Sequence, residues 1–223
     1  MVPSPLEVRL HRTQACASDA ALLQRRARLL DPEERARAER FVFERHRQRF
    51  VAAHGFLREV LGRALGRDPA RLSFEIEARG KPRLAGAELH FSLTHTGDHV
   101  LLALAEEPLG LDAEEVRPAR VGTDLARRVM AAEEFASWSG APRAEQVRAF
   151  FRLWSAKESV MKACGLGLEL APGGFSVFSP GKLELASETG AAGSPWSLVE
   201  LPAPEEYAAA LATPRPARVI ETG

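Results

Sequence analysis

Apolar and polar residues alternate from Leu6 to Leu10, which predicts a first strand. From Asp19 to Leu30 the pattern turns helical. Asp31-Pro32-Glu33-Glu34 then reads as an N-cap, a proline at the first helical position and acidic residues in the first turn. A helical region follows to about Leu65, broken near Phe43 to His46, with Phe50, Ala53, Leu57, Val60 and Leu61 at helical spacing. Gly66 ends it. Leu72–Ile76 predicts a short strand, and "ARGKPRL" a turn. "HFSLTHTGDHVLLALAEE" predicts a hairpin turning at Thr96-Gly97-Asp98, with His99–Ala105 as a buried return strand. "PLGLDAEEV" predicts another strand. Thr123–Ser137 reads as a helix capped by Thr123 or Asp124, and Arg143–Cys164 as a second long helix. Short strand signals with Gly/Pro turns fill Phe175–Val219.

Helices followed by strands thus occur twice, though no residue-level repeat marks the two runs. The expectation is an α+β fold of two packed halves, residues 1–108 and 109–223, with the break near Pro108 and a site between them.

Composition narrows the function. The 223-residue chain is 45% hydrophobic and 27% charged with a formal net charge of zero, so it carries no overall field for nucleic acid or membrane. Cys16 and Cys164 make neither a disulfide framework nor a zinc knuckle. The stretch "MVPSPLEVRLHR" lacks the apolar core of a signal peptide, and no apolar run is long enough to span a bilayer. A cytoplasmic protein is expected. Of the 30 Lys and Arg residues only Lys81, Lys157, Lys162 and Lys182 are lysines. In a chain that writes nearly every cation as Arg, a lysine marks a place where a compact point charge is wanted.

Asp112 and Glu114 in "LGLDAEE" point to one face of a strand. Either they end that strand in solvent, or a cation relieves their repulsion. Hard oxygens without His or Cys nearby favour magnesium. Glu158 and Lys162 share a helix face, as a surface ion pair or, given Trp154 four residues before Glu158, as a half-buried pair tied to something else. Lys81 sits between Gly80 and Pro82, in a solvated turn or in a loop aimed at phosphate. His95 closes a strand where its ring is either structural or within reach of a ligand. The stretch "RARAERFVFERHRQRF" interleaves six arginines with Glu39 and Glu44, which reads as a solvated helix with one or two arginines left for a small anion rather than a nucleic-acid track.

Taken in order, "GKP" (Gly80–Pro82), "FSLTHTG" (Phe91–Gly97), "LGLDAE" (Leu109–Glu114) and "FFRLWSAKESVMKACGLGL" (Phe150–Leu168) resemble the 4'-phosphopantetheinyl transferases of the surfactin-synthetase-activating (Sfp) type. Trp154, Ser155, Lys157, Glu158, Ser159, Lys162, Gly165, Gly167 and Leu168 match that family's long signature; Leu111 and Ala113 depart mildly from the short one. The early "DPEERARAERF" is a weaker match.

The resemblance implies two similar α+β halves in one pseudo-dimeric monomer, with the active site in the cleft between them. It implies transfer of phosphopantetheine from coenzyme A to a serine of an apo acyl or peptidyl carrier protein, releasing adenosine 3',5'-bisphosphate. Asp112, Glu114 and Glu158 match the family's magnesium ligands. Glu158 is also the candidate base, directly or through water, and Lys162 the cation for the diphosphate. Lys81, Thr94, His95, Arg37 and Arg49 match coenzyme-holding positions, with Thr94 and His95 on the 3'-phosphate side. Lys157 matches a position with a coenzyme or structural contact. Glu34 stands where some relatives have Lys, and Glu133 or Glu134 matches an acidic position near the metal. The alternative within the same fold is a coenzyme A- or carrier-binding module without catalysis; intact Asp112, Glu114, Glu158 and Lys162 speak against it.

Overall fold

The structure, a computed structural model, describes residues 4–15 and 19–222. Cys16 and the first three residues of "MVPSPLEVRLHR", on which two of the readings above fall, lie outside the described residues.

The chain opens with strand β1 (Leu6–Gln14), then helices α1 (Ala20–Leu29), α2 (Pro32–Glu39) and α3 (Glu44–Leu65). Asp31 and Glu34 form a reciprocal capping box at the start of α2. The expected break in the long helical region falls at Arg40–Phe43. A small hairpin, β2 (Phe74–Ile76) and β3 (Pro82–Leu84), precedes the predicted hairpin of β4 (His90–Thr96) and β5 (His99–Ala105). Strand β6 (Gly110–Glu115) leads into α4 (Thr123–Val129) and α5 (Ala132–Ser139). The single helix expected over 123–137 is therefore two, parted at Met130 and Ala131. The long α6 (Arg143–Ala163) follows, and then β7 (Glu188–Ala191), β8 (Ser194–Glu200), β9 (Tyr207–Thr213) and β10 (Ala217–Thr222).

Two four-stranded sheets carry the fold, in the orders β10-β1-β5-β4 and β6-β9-β8-β7. Strand parity explains how they pack. On β5, Val100, Leu102 and Leu104 join a core with Phe56, Leu57, Val60 and Leu61 of α3. The alternate residues Leu101, Ala103 and Ala105 join Leu6, Val8 and Leu10 of β1 in a second core, which also takes in Leu111 and Ala113 of β6 and Ala209 and Leu211 of β9. The sheets thus bury one face against each other. The remaining face of the second sheet, through Ala208, Ala210 and Ala212, packs on α6. Each leucine enclosed this way contributes about 1.5–3 kcal/mol over an exposed one.

The last strand, β10, pairs in parallel with β1, from Leu6 opposite Ala217 to His11 opposite Thr222. Residues 217–222 therefore belong to the first sheet, although sequence order groups them with the second half. A second tie is a row of side-chain bonds from one face of β4 to β6. Ser92 Oγ accepts from Leu111 N at 2.9 Å, Thr96 Oγ1 accepts from Glu115 N at 2.9 Å, and Thr94 Oγ1 donates to Asp112 at 3.3 Å.

Candidate active site

Strand parity on β6 sends Leu111 and Ala113 into the core between the sheets. Gly110, Asp112 and Glu114 consequently face α6. Gly110 is what lets the helix close on the strand. A Cβ there would lie 1.8 Å from Ser159 O and 2.5 Å from Ala163 N. This close approach brings Lys162 to Asp112, Nζ to Oδ1 at 2.5 Å, and Trp154 to Glu114, Nε1 donating to Oε1 at 3.2 Å. Lys162 also donates to Leu111 O at 3.2 Å. The ion pair that helical spacing suggested between Glu158 and Lys162 is not formed; the lysine reaches across to the strand instead.

The carboxylates here are under-compensated. Asp112 is 4% exposed, and its second oxygen, Oδ2, is buried without a hydrogen-bond partner. Glu114 is pushed up to about 7, first by burial and then by the charge of Asp112, against the indole of Trp154 and the ammonium of Lys162. Burial and Asp112 also push Glu158 up. One lysine thus answers three acids. Among the described residues no three of them close around a common point, and Asp112 is turned onto Lys162.

A cavity of about 630 Å³ opens beside this cluster. Arg37, Lys81, His95 and Lys162 line it, with Gly165 and Gly167 beyond the end of α6. Both glycines are left-handed, φ 69° and 53°, which is why the helix stops there. The side chain of Leu168, the last position of the motif, lies outside the described residues. Lys81 is tied down rather than waving in solvent: its Nζ donates to Lys162 O at 2.7 Å and Leu109 O at 3.1 Å. Burial lowers its pKa. His95 is also held below the usual range, by burial and then by the neighbouring basic groups His54, Lys162, Arg49 and Arg37. Arg49 lies in a second cavity of about 390 Å³, paired with Asp98 at 2.9 Å. Arg37, His54 and His95 line both cavities.

A family model described as the 4'-phosphopantetheinyl transferase superfamily matches residues 108–212, and one described as the N-terminal part of 4'-phosphopantetheinyl transferase matches residues 17–107. The 4'-phosphopantetheinyl transferase HetI of Nostoc sp. is 36% identical over 198 residues, covering 85% of this chain and 81% of that protein. This chain belongs to the 4'-phosphopantetheinyl transferase superfamily. Two Bacillus subtilis members are similar over less of their length. One, a 4'-phosphopantetheinyl transferase, is 32% identical over 65% of this chain and 64% of its own; the other, Sfp, is 30% identical over 66% of each.

Several positions suggested by the family pattern are engaged by partners within the protein. Lys157 is fully enclosed. Its ammonium pairs with Glu134 at 2.8 Å and donates to Pro172 O at 2.7 Å and to Phe175 O. Of the two contacts the resemblance allowed, it makes the structural one. Glu134, 2% exposed, accepts from Ala131 N, Val177 N and Phe178 N, so it braces the loop after α6 and not the acidic cluster of β6. Thr94 is buried with its hydroxyl on Asp112, so it supports the carboxylates, while its neighbour His95 lines the cavities.

Glu34, which the resemblance sets where a cation is expected, is a hub. It accepts from His54 Nδ1 at 2.8 Å and from Arg58 Nε at 2.6 Å. Burial opposes its charge, yet the His54 hydrogen bond and Arg58 hold its carboxyl below the usual range. Arg58, fully buried, also reaches Asp31 at 2.5 Å and the carbonyls of Pro69 and Leu72. Neither His54 nor Arg58 was singled out from the sequence. Arg58 left one signal: a guanidinium beside Leu57 and Leu61 on a core-facing helix requires a carboxylate partner. His54 left none.

Proposed function

We propose that this transferase moves 4'-phosphopantetheine from coenzyme A to a serine of an apo carrier protein and releases adenosine 3',5'-bisphosphate. The serine oxygen forms a bond to the phosphorus nearer the pantetheine, and the bond from that phosphorus to the bridging oxygen breaks. The serine proton leaves to Glu158, directly or through a water. The one observation that carries this reading is the buried, unpartnered Oδ2 of Asp112 beside two carboxylates pushed up and a single lysine.

That donor set fits magnesium, with Asp112, Glu114 and Glu158 as the residues that would hold it. When bound, the ion supplies charge neutralisation and Lewis acidity at the diphosphate. The chain's own side chains do the rest. Lys162 offers its ammonium to the leaving bisphosphate, where negative charge builds. Lys81, fixed by two carbonyls, and His95 and Arg37 line the larger cavity, which suits the coenzyme's anionic part. Arg49 adds a cation on the far side of His95. Glu158, pushed up by burial, is a better proton acceptor than an exposed carboxylate.

We place the boundary of the two halves at residues 108/109, with the first half taking the coenzyme and the second the metal. The protein works as a monomer in the cytoplasm on this reading. No described helix is long and apolar enough to cross a membrane.

The test is intact-mass spectrometry of a panel of apo carrier proteins incubated with this protein, coenzyme A and magnesium, with and without EDTA. One phosphopantetheine is gained per carrier, and EDTA abolishes the gain. No gain on any carrier overturns the reading.

A further inference from the structure

We infer that the loop from Arg40 to Phe43, with Arg45 in the first turn of α3, is the surface on which the carrier protein docks, and that the carrier meets it with an apolar face fringed by acidic residues. The inference rests on the transfer reading above and names where its macromolecular substrate sits.

Among the described residues five large apolar side chains are exposed, and three are consecutive here: Phe41 at 37%, Val42 at 89% and Phe43 at 59%. This loop joins α2 to α3. Folding does not call for apolar residues at these positions. Phe43 occupies the N-cap of α3 without any side-chain cap, a position where Ser, Thr, Asp or Asn would stabilise the helix. The two aromatics are nevertheless anchored. The Phe41 ring leans on buried Phe50 at 5.6 Å, and Phe43 meets His46 edge-on at 5.9 Å. The Arg45 guanidinium lies over Phe43 at 5.5 Å. Rigid aromatics standing in solvent carry little ordering cost when a partner covers them.

The charge around the loop sets the partner's sign. Arg40, Arg45 and Arg120 are exposed, and none forms an ion pair among the described residues. Elsewhere around the loop Arg47, Arg49 and Arg117 are each matched by an acid, Glu44, Asp98 and Glu115. Unmatched cations around an apolar tip fit an acidic protein face. Position completes the case. Phe41 and His46 line the smaller cavity, and Glu114 of the carboxylate cluster lines it too. A protein seated on the loop therefore sits at the mouth of a passage to the acids.

The experiment compares the unaltered protein with Val42→Asp and Arg45→Glu. Both positions are exposed, so the fold survives, as an unchanged unfolding curve verifies. Steady-state transfer to an apo carrier at saturating coenzyme A gives kcat and the carrier KM; calorimetry gives the coenzyme Kd. Val42→Asp raises the carrier KM at least about tenfold and Arg45→Glu about threefold, with kcat and coenzyme Kd within about twofold. An unchanged carrier KM in both variants overturns the docking surface and leaves the transfer reading standing. Absence of transfer by the unaltered protein overturns the transfer reading, and the docking surface with it. A concentration-dependent dimer of the unaltered protein that Val42→Asp dissociates assigns the loop to a second copy and overturns the inference as well.

Discussion

Two lysines on α6, five residues apart, each hold an acid, and they differ in what is left over. Lys157 and Glu134 form a closed pair. The ammonium has three oxygen acceptors, the carboxylate has three backbone donors besides, and both are out of water. Lys162 and Asp112 form an open pair. The lysine side chain is 32% exposed at a cavity, one carboxylate oxygen has no partner, and two more acids crowd it. A buried ion pair with every lone pair answered holds loops in place. A pair with unanswered oxygen beside a cavity is arranged for something that arrives.

The sharpest break of this comparison is Asp112→Ala. Transfer falls at least about a thousandfold, while the unfolding midpoint moves by a few degrees at most. A variant that keeps its turnover under saturating magnesium overturns the assignment of Asp112. The mirror experiment is Glu134→Gln. It strands the Lys157 ammonium in the interior and costs about 3–5 kcal/mol in chemical denaturation. Turnover per folded molecule stays the same. Equal turnover loss in the two variants would erase the distinction between the pairs.

A smaller effect comes from protons. Glu114, pushed up to about 7, must lose its proton before it can ligate. Magnesium affinity measured by calorimetry therefore rises about tenfold per pH unit up to about 7 and levels off above it. Glu114→Gln makes the profile shallower, and what slope is left belongs to Glu158. The metal-free protein shows the linked trend. Its folded state keeps a proton that the unfolded chain releases near 4.5, so this group's contribution to stability declines as pH rises from there to about 7. A magnesium affinity independent of pH removes Glu114 from the ligand set.

The legible part of this molecule was local. The N-cap at Asp31, the hairpin turn at Gly97, and the shared face of Asp112 and Glu114 follow from periodicity and turn chemistry within a few residues. The family motifs named the acidic cluster and Lys162 in the same way. What the sequence concealed is decided by pairing across distance. Thr94 and His95 are neighbours, but only the packing of β4 on β6 assigns one to a carboxylate and the other to the cavities. Lys157 became structural because Glu134, on a different helix, reaches it. Glu34 reads only as a departure from the family pattern until α3 places His54 and Arg58 against it.

The parallel pairing of β10 with β1 has a mechanical consequence. Two bodies joined by one strand of chain can swing like a door. Here the polypeptide crosses from the first sheet to the second between β5 and β6 and crosses back between β9 and β10, with the Ser92, Thr94 and Thr96 stitches between the crossings. Two crossings and a seam make a frame with no free jamb. The placement of one sheet on the other is set when the chain folds, and a guest at the cavity beside β4 and α6 meets walls already in place.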